Sequence, residues 1–115
     1  METIIYHNPR CSKSRQTLQL LTDNGLKPTI IEYLQTPPTH QQLDSILRGL
    51  EIEPSSLIRK GESEYAELNL ASKSMSRDQL IDVMIQHPKL IERPIVINGD
   101  KVAIGRPPES ILAIL

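Results

Sequence analysis

The stretch that decides the fold is His7-Asn8-Pro9-Arg10-Cys11-Ser12-Lys13-Ser14-Arg15. It overlaps the end of Thr3–His7, whose β-branched and aromatic centre predicts a short strand. Asn8-Pro9 is a turn dipeptide, and leucines at helical spacing then predict a helix over residues 12–24. Gly25 is placed to end that helix. The sequence therefore puts Cys11 at the point where a strand ends and a helix begins.

A second predicted strand covers residues 29–34, rich in β-branched residues. Strand, helix and strand then form a βαβ unit, in which the two strands should be parallel with a right-handed crossover. Open α/β sheets bind their ligands at the carboxyl ends of such strands. Cys11 follows the first strand directly, so we expect it at a functional edge of the sheet.

Residues 39–90 are predicted to be mainly helical. Thr39 with Gln42, and Ser76 with Gln79, have the spacing of capping boxes that open two helices. Shorter helical turns are predicted after Glu53 and around residues 64–68. This segment is too poor in apolar residues for a core of its own. We therefore interpret it as an insertion within a single domain that covers residues 1–115.

The last part of the chain predicts two more strands and a helix. Asn98-Gly99 is typical of a two-residue hairpin turn between strands at residues 94–97 and 100–104. Prolines after Gly105 then open a final helix. The residues of that helix expected to face the core are Ile111, Leu112 and Leu115. The predicted fold class is α/β, with a mixed four-stranded sheet and a helical insertion between the second and third strands.

Composition and charge exclude several classes of function. The chain has 115 residues and a formal net charge of −1, so no whole-protein field favours nucleic acid or an anionic membrane. No apolar run approaches the length of about 18 residues that a membrane helix needs. The N-terminal residues have neither the basic region nor the apolar segment of a secretory signal. The single cysteine excludes an intramolecular disulfide, and a reducing, cytoplasmic compartment suits it best.

Cys11 is the first candidate for chemistry. Unpaired backbone N–H groups and the helix dipole favour the thiolate form at a helix N-terminus. Lys13, Arg15 and Arg10 add positive charge nearby. A lone cysteine is also commonly a small buried apolar residue, and that alternative stays open. Because Ser14 stands where a dithiol motif needs its second cysteine, and Thr17 where a phosphatase-type Cys-x5-Arg loop needs arginine, neither chemistry is available.

His7 and Ser14 are candidate supporting residues. His7 as an imidazolium would lower the pKa of the thiol, and as a neutral base it would take the proton. Ser14 would donate a hydrogen bond to the thiolate. The alternatives are a histidine that is bonded to backbone at a strand end and an ordinary early helix residue.

Three arginines stand at predicted element ends: Arg59 after an apolar turn, Arg93 directly before Pro94, and Arg106 between Gly105 and Pro107. A guanidinium binds two oxygens of a tetrahedral oxyanion at once. An Arg–Pro bond is one of the few peptide bonds that adopt the cis form readily. Taken singly, each arginine is equally consistent with a solvated surface charge, and spacing does not show whether they converge on Cys11.

These motifs together resemble the glutaredoxin-dependent arsenate reductase family, in its short bacterial branch. The matching segments are His7-Asn8-Pro9-x-Cys11-Ser12-x-Ser14-Arg15, Tyr33-Leu34-x-Thr36-Pro37-Pro38, Leu57-Ile58-Arg59-Lys60, Glu92-Arg93-Pro94-Ile95-Val96 and Gly105-Arg106-Pro107-Pro108-Glu109. They span nearly the whole chain. Arg10 and Ser12-Lys13 depart from the small residues of well-characterised members, which also carry a further C-terminal extension.

The resemblance implies a thioredoxin-like fold and a role for each matching residue. Cys11 would attack arsenate to give a thiol-bound arsenic(V) adduct. The arginines implied to hold the oxyanion are Arg59, Arg93 and Arg106. His7 and Ser14 match positions linked to lowering the thiol pKa, and Pro94 matches the cis-proline of the fold.

The resemblance further implies that the second and third thiols come from outside the chain. Glutathione would act as co-substrate and attack the adduct, and glutaredoxin would resolve the mixed disulfide. We expect a monomer without a bound cofactor or metal. Two alternatives stay open: a related thiol enzyme acting on another substrate such as a glutathione mixed disulfide, and a non-enzymatic regulator that binds RNA polymerase.

Overall fold

The computed structural model describes residues 2–115. Its strands are β1 Thr3–His7, β2 Thr29–Glu32, β3 Ile95–Asn98 and β4 Lys101–Ile104. Its α-helices are α1 Ser12–Asp23, α2 His40–Leu50, α3 Pro54–Leu57, α4 Ser63–Glu67 and α5 Arg77–Gln86. Short 3₁₀ helices cover Leu70–Ser72, Pro88–Leu90 and Pro108–Ile114. No helix among residues 2–115 is long and apolar enough to cross a membrane.

The chain divides into two compact units. The first runs up to Thr36 and resumes with Arg93–Leu115, and the second is Pro37–Glu92. The second unit coincides closely with the predicted helical insertion at residues 39–90. That residues 1–115 form a single domain stays a prediction.

The first unit is built on a four-stranded sheet in the order β2-β1-β3-β4. β1 and β2 are parallel, with His7 opposite Glu32 in the last register pair. β3 is antiparallel to both β1 and β4. The predicted βαβ unit and mixed sheet are therefore confirmed, although β2 ends at Glu32, two residues earlier than expected.

Apolar side chains from strand, helix and C-terminal segment form the core of this unit. Ile5, Leu21, Val96 and Ile111 are fully buried together. Gly25 has φ of +79° just beyond α1, as expected of a residue that ends a helix.

The last helix differs from the prediction. Pro108–Ile114 is a 3₁₀ helix, in which residues three apart share a face. Ile111 is buried and Ile114 packs against the core, whereas Leu112 and Leu115 are exposed. The expectation that Leu112 and Leu115 face inward assumed a period of 3.6 and was wrong.

The hairpin turn also lies one residue later than predicted. Asn98 pairs with Lys101 in the ladder, and the two turn residues are Gly99, with φ of +66°, and Asp100. Asn98 stays in the strand because its side-chain amide makes hydrogen bonds to two partners. Its Oδ1 accepts from the hydroxyl of Thr3 at 2.9 Å, and its Nδ2 donates to the carbonyl of Ile114 at 2.7 Å.

The second unit is helical. Both predicted capping boxes are present, with the hydroxyls of Thr39 and Ser76 accepting from the backbone N–H groups of Gln42 and Gln79. α2 packs against α5. The fully buried side chains on these two helices are Leu43, Ile46, Leu47, Ile81 and Met84.

Candidate active site at the Cys11 loop

A short hydrogen-bonded loop carries Cys11 from β1 into α1. The side-chain Oδ1 of Asn8 accepts a hydrogen bond from the N–H of Arg10 at 3.0 Å. The backbone carbonyl of Asn8 accepts one from the N–H of Cys11, also at 3.0 Å. Cys11 is the N-cap residue of α1, with extended φ and ψ of −93° and 123°. The free thiol is half-buried. It therefore lies at the N-terminus of α1, as the sequence predicts.

The surroundings of the thiol stabilise its charged form. Burial alone raises the pKa of Cys11, because a thiolate loses solvation there. The N–H of Ser14, the guanidinium of Arg93 and the N–H of Lys13 act in the opposite direction and leave the pKa below its ordinary value. The N-terminus of α1 thus stabilises the thiolate with two backbone N–H donors, and Arg93 stabilises it with a hydrogen bond and with its positive charge.

Two of the three predicted arginines meet at the sulfur. Arg106 points its Nη2 at the Sγ of Cys11 over 3.7 Å, while its Nε donates to the carbonyl of Arg93 at 2.7 Å. Arg93 itself hydrogen-bonds to the thiol. The guanidinium of Arg106 is thereby held in orientation by the backbone of the other arginine.

Arg59 belongs to the second unit. Its Nη1 bonds to a carboxylate oxygen of Glu92 at 3.0 Å, and its Nε lies 3.4 Å from Glu62. Its part in oxyanion binding stays a prediction.

The hydroxyl of Ser14 does not take the predicted role. Ser14 is fully buried, and its Oγ accepts from the N–H of Asn8 at 3.0 Å and lies 2.6 Å from Nδ1 of His7. The contribution of Ser14 to the thiolate is its backbone N–H. The expected hydroxyl donation to sulfur is therefore replaced by a bond that ties the loop to the end of β1.

His7 is buried, and its surroundings shift the balance between its two predicted forms. Burial lowers the pKa of the imidazole, the Glu32 carboxylate opposes that shift, and the positive charge of Arg15 adds to it. The net pKa is below the ordinary value, so the neutral ring dominates near pH 7. With the Ser14 oxygen already accepting from Asn8, its O–H is available to donate to the neutral Nδ1. The imidazolium alternative is disfavoured.

Pro94, which follows Arg93, and Gly105, which precedes Arg106, lie in close contact with each other. The Arg93–Pro94 bond is cis, as the sequence suggested, and Arg106–Pro107 is also cis, which was not foreseen. The N–H of Gly105 donates to the carbonyl of Pro94 at 2.9 Å. A Cβ at Gly105 would lie 2.8 Å from Cγ of Pro94 and would overlap the hydroxyl of buried Thr17. In the sequence Gly105 only marks the start of the last predicted helix, and no sequence pattern indicates this close packing.

The basic residues beside Cys11 lie on the outside of the loop. Arg10, Lys13 and Arg15 are exposed. Arg15 donates to the carbonyl of Pro9 at 2.9 Å. Among residues 2–115 no group of three His, Cys, Asp or Glu side chains is arranged to hold a metal ion.

Comparisons with known proteins identify the family of the chain. The model of the ArsC family matches residues 6–114. An arsenate reductase of Haemophilus influenzae is 48% identical over 116 residues, covering 100% of both chains. One from Escherichia coli K12 is 46% identical over 111 residues, which cover 96% of this chain and 79% of that protein.

A solved structure gives the same result for the fold. The arsenate reductase from Vibrio cholerae superposes with a TM-score of 0.95 at 46% identity, covering 100% of this chain and 98% of the other. The expected α/β, thioredoxin-like fold is thereby confirmed. The chain belongs to the ArsC family, whose arsenate reductases its motifs resemble.

Proposed function

We propose that this protein is an oxidoreductase that reduces arsenate to arsenite through Cys11. The observation that carries the proposal is the meeting of Arg93 and Arg106 at a thiol whose pKa is lowered. Arsenate is a tetrahedral oxyanion, and an anionic nucleophile repels it unless positive charge lies between them. Two guanidiniums at the sulfur supply that charge together with donors for several oxygens.

The first step forms a sulfur–arsenic bond. The Cys11 thiolate attacks arsenic(V), and one arsenate oxygen leaves as water after protonation. Arg93 and Arg106 hydrogen-bond to the remaining oxygens and stabilise the charge that develops on them. The backbone N–H groups of Lys13 and Ser14 lower the pKa of Cys11 and so favour the thiolate beforehand.

The second step is the reduction, with glutathione as the proposed reductant. Its thiolate attacks the Cys11 adduct, so that a sulfur–sulfur bond forms and the sulfur–arsenic bond breaks. Arsenic keeps the electron pair and leaves as arsenite, and each sulfur has given up one electron. Glutaredoxin then attacks the glutathione sulfur of the mixed disulfide, so that a glutaredoxin–glutathione disulfide forms and Cys11 leaves as its thiolate. A reducing, cytoplasmic compartment suits this cycle because the chain has no second cysteine.

Arg59 is proposed as a third oxyanion ligand. The only support for this role is the motif Leu57-Ile58-Arg59-Lys60. Substitution to glutamine tests it separately from the chemistry of the thiol. We expect Arg59→Gln to raise KM for arsenate without changing the rate of thiol alkylation.

A coupled assay tests the proposal as a whole. Purified protein is mixed with glutathione, glutaredoxin, glutathione reductase and NADPH, and NADPH consumption is followed with and without arsenate. We expect arsenate-dependent consumption, and none with Cys11→Ser, whose fold is checked by circular dichroism. NADPH consumption that does not depend on arsenate would overturn the proposal.

A further inference from the structure

A cleft of about 340 Å³ opens beside the Cys11 loop, at the carboxyl ends of β1 and β2. Its volume falls at the lower end of the range of about 300–1,000 Å³ typical of small-molecule sites. Its lining includes His7, Pro9 and Arg10 from the end of β1 and the loop after it, and Glu32, Leu34 and Gln35 from the end of β2 and the residues after it. Nothing in the chemistry of the thiol and its arginines uses this cleft.

The lining of the cleft combines both signs of charge. No ion pair within the described chain engages Arg10 or Glu32, although each is exposed. Leu34 and Pro9 add apolar surface, and Gln35 adds an amide that both donates and accepts. A carboxylate and a guanidinium in one small cleft match a zwitterionic ligand. The ligand's ammonium would pair with the Glu32 carboxylate, and its carboxylate would pair with the Arg10 guanidinium.

The cleft and the thiol share their framework. Arg10 directly precedes Cys11, and both of their N–H groups bond to Asn8. His7, which lines the cleft, lies 2.6 Å from the Ser14 hydroxyl at the start of α1. A ligand held in the cleft would therefore lie against the loop that carries the sulfur. The carboxyl ends of parallel strands are also where open α/β sheets bind ligands.

From this geometry we infer that the cleft is a subsite for the thiol reductant, and that it takes a short zwitterionic peptide thiol. Its ammonium pairs with Glu32 and one carboxylate pairs with Arg10. The inference rests on the proposed function, since it names where the reductant of that reaction binds. The subsite holds the peptide while its sulfur attacks the Cys11 adduct in the step described above.

Binding is tested without turnover, by using S-methylglutathione, whose sulfur cannot react. Backbone amide shifts of the ¹⁵N-labelled full chain are followed during titration. We expect saturable shifts at Arg10, Leu34 and Gln35. Glu32→Gln should raise Kd about three- to fivefold, the effect of losing one solvent-exposed ion pair. Glu67→Gln, an exposed carboxylate in the second unit, is the matched control and should leave Kd unchanged.

A second ligand separates the ion pair from a general effect of the substitution. N-acetyl-S-methylglutathione lacks the ammonium, so it should bind the unaltered protein more weakly and should bind Glu32→Gln with the same Kd as it binds the unaltered protein. Absence of saturable shifts in the cleft, or equal Kd values for S-methylglutathione in both proteins, would overturn the subsite. Because this titration needs no arsenate, a failure of arsenate turnover leaves its outcome intact and counts against the proposed function alone.

Discussion

Arg106 lies 3.7 Å from the sulfur of Cys11, although 95 residues separate the two in the chain. Its Nε donates to the carbonyl of Arg93, so the backbone of one arginine orients the guanidinium of the other. The thiol, its two cations and the N-terminus of α1 all belong to the first unit. The sheet explains the meeting: β3 is antiparallel to both β1 and β4, so the end of β1, the start of β3 and the end of β4 lie at the same edge.

Replacement of Arg106 by glutamine should weaken both the thiolate and the oxyanion site. The variant loses a charged donor at sulfur, worth about 1.5–3 kcal/mol. We expect kcat/KM for arsenate to fall about 10- to 100-fold. Lys101→Gln removes the same charge from an exposed position on β4 and should leave kcat/KM unchanged. Equal activities of the two variants would show that Arg106 has no part in the reaction.

Ser14→Ala tests whether the hydroxyl is structural. The substitution leaves the part-buried N–H of Asn8 and the Nδ1 of buried His7 without their partner, and a buried polar group left unpaired costs about 1–3 kcal/mol. We expect a clear fall in the free energy of unfolding measured with urea. The alkylation rate of Cys11 should change little, because the backbone N–H of residue 14 remains. Ser12→Ala, at an exposed site in the same turn, is the control.

Gly105→Ala tests the packing behind the arginines. The added Cβ would overlap Thr17 and press on Pro94, so neighbouring chain must shift. Overpacking of this kind costs about 1–3 kcal/mol, and we expect a loss of that size in urea unfolding. Gly61→Ala is the matched control, because no atom lies within 4 Å of its Cβ position. Comparable stability of the two variants would contradict the close approach at Gly105.

His40 should make stability depend on pH. Its Nδ1 lies 2.8 Å from Asp82 and its Nε2 3.3 Å from Asp78, which joins the start of α2 to α5. The hydrogen bond that His40 donates to Asp82 is the largest cause, and together with the charges of Asp82 and Asp78 it outweighs the loss of solvation and raises the pKa of His40. A raised pKa stabilises the fold below the unfolded value, about 6.5, and that stabilisation is lost as pH rises through the folded value.

The corresponding measurement compares His40→Asn with the unaltered protein in urea. The difference in unfolding midpoint should be larger near pH ~5.5 than near pH ~8.5. Asp82→Asn should reduce the same difference. A gap that is constant with pH would show that the imidazole contributes nothing through its charge.

Local patterns in the sequence predicted the elements well where the deciding interactions are local. The capping boxes at Thr39 and Ser76 involve residues three apart, and both formed as expected. Asn98 shows the limit, because its bonds to Thr3 and Ile114 keep it in the strand and move the turn on by one residue. Neither partner is visible in the local pattern Asn98-Gly99.

The candidate site was predictable only in part. The position of Cys11 at a helix start follows from strand, turn and helix patterns within 25 residues. The contact between Arg106 and Cys11 depends on sheet order, so spacing alone left each arginine as a possible surface charge. The resemblance to a known family supplied the proposed roles of the arginines, which stay predictions. Packing at Gly105 could not be foreseen, because it depends on how closely Thr17 and Pro94 approach in three dimensions.

The pH dependence of Cys11 alkylation by iodoacetamide tests the central claim most directly. That claim is that Arg93 and the N-terminus of α1 hold the thiol as a nucleophilic thiolate. The rate should rise with a midpoint clearly below ~8.5, the ordinary value for a cysteine, and the midpoint should move upward in Arg93→Gln. A midpoint at or above ~8.5 in the unaltered protein would contradict the account.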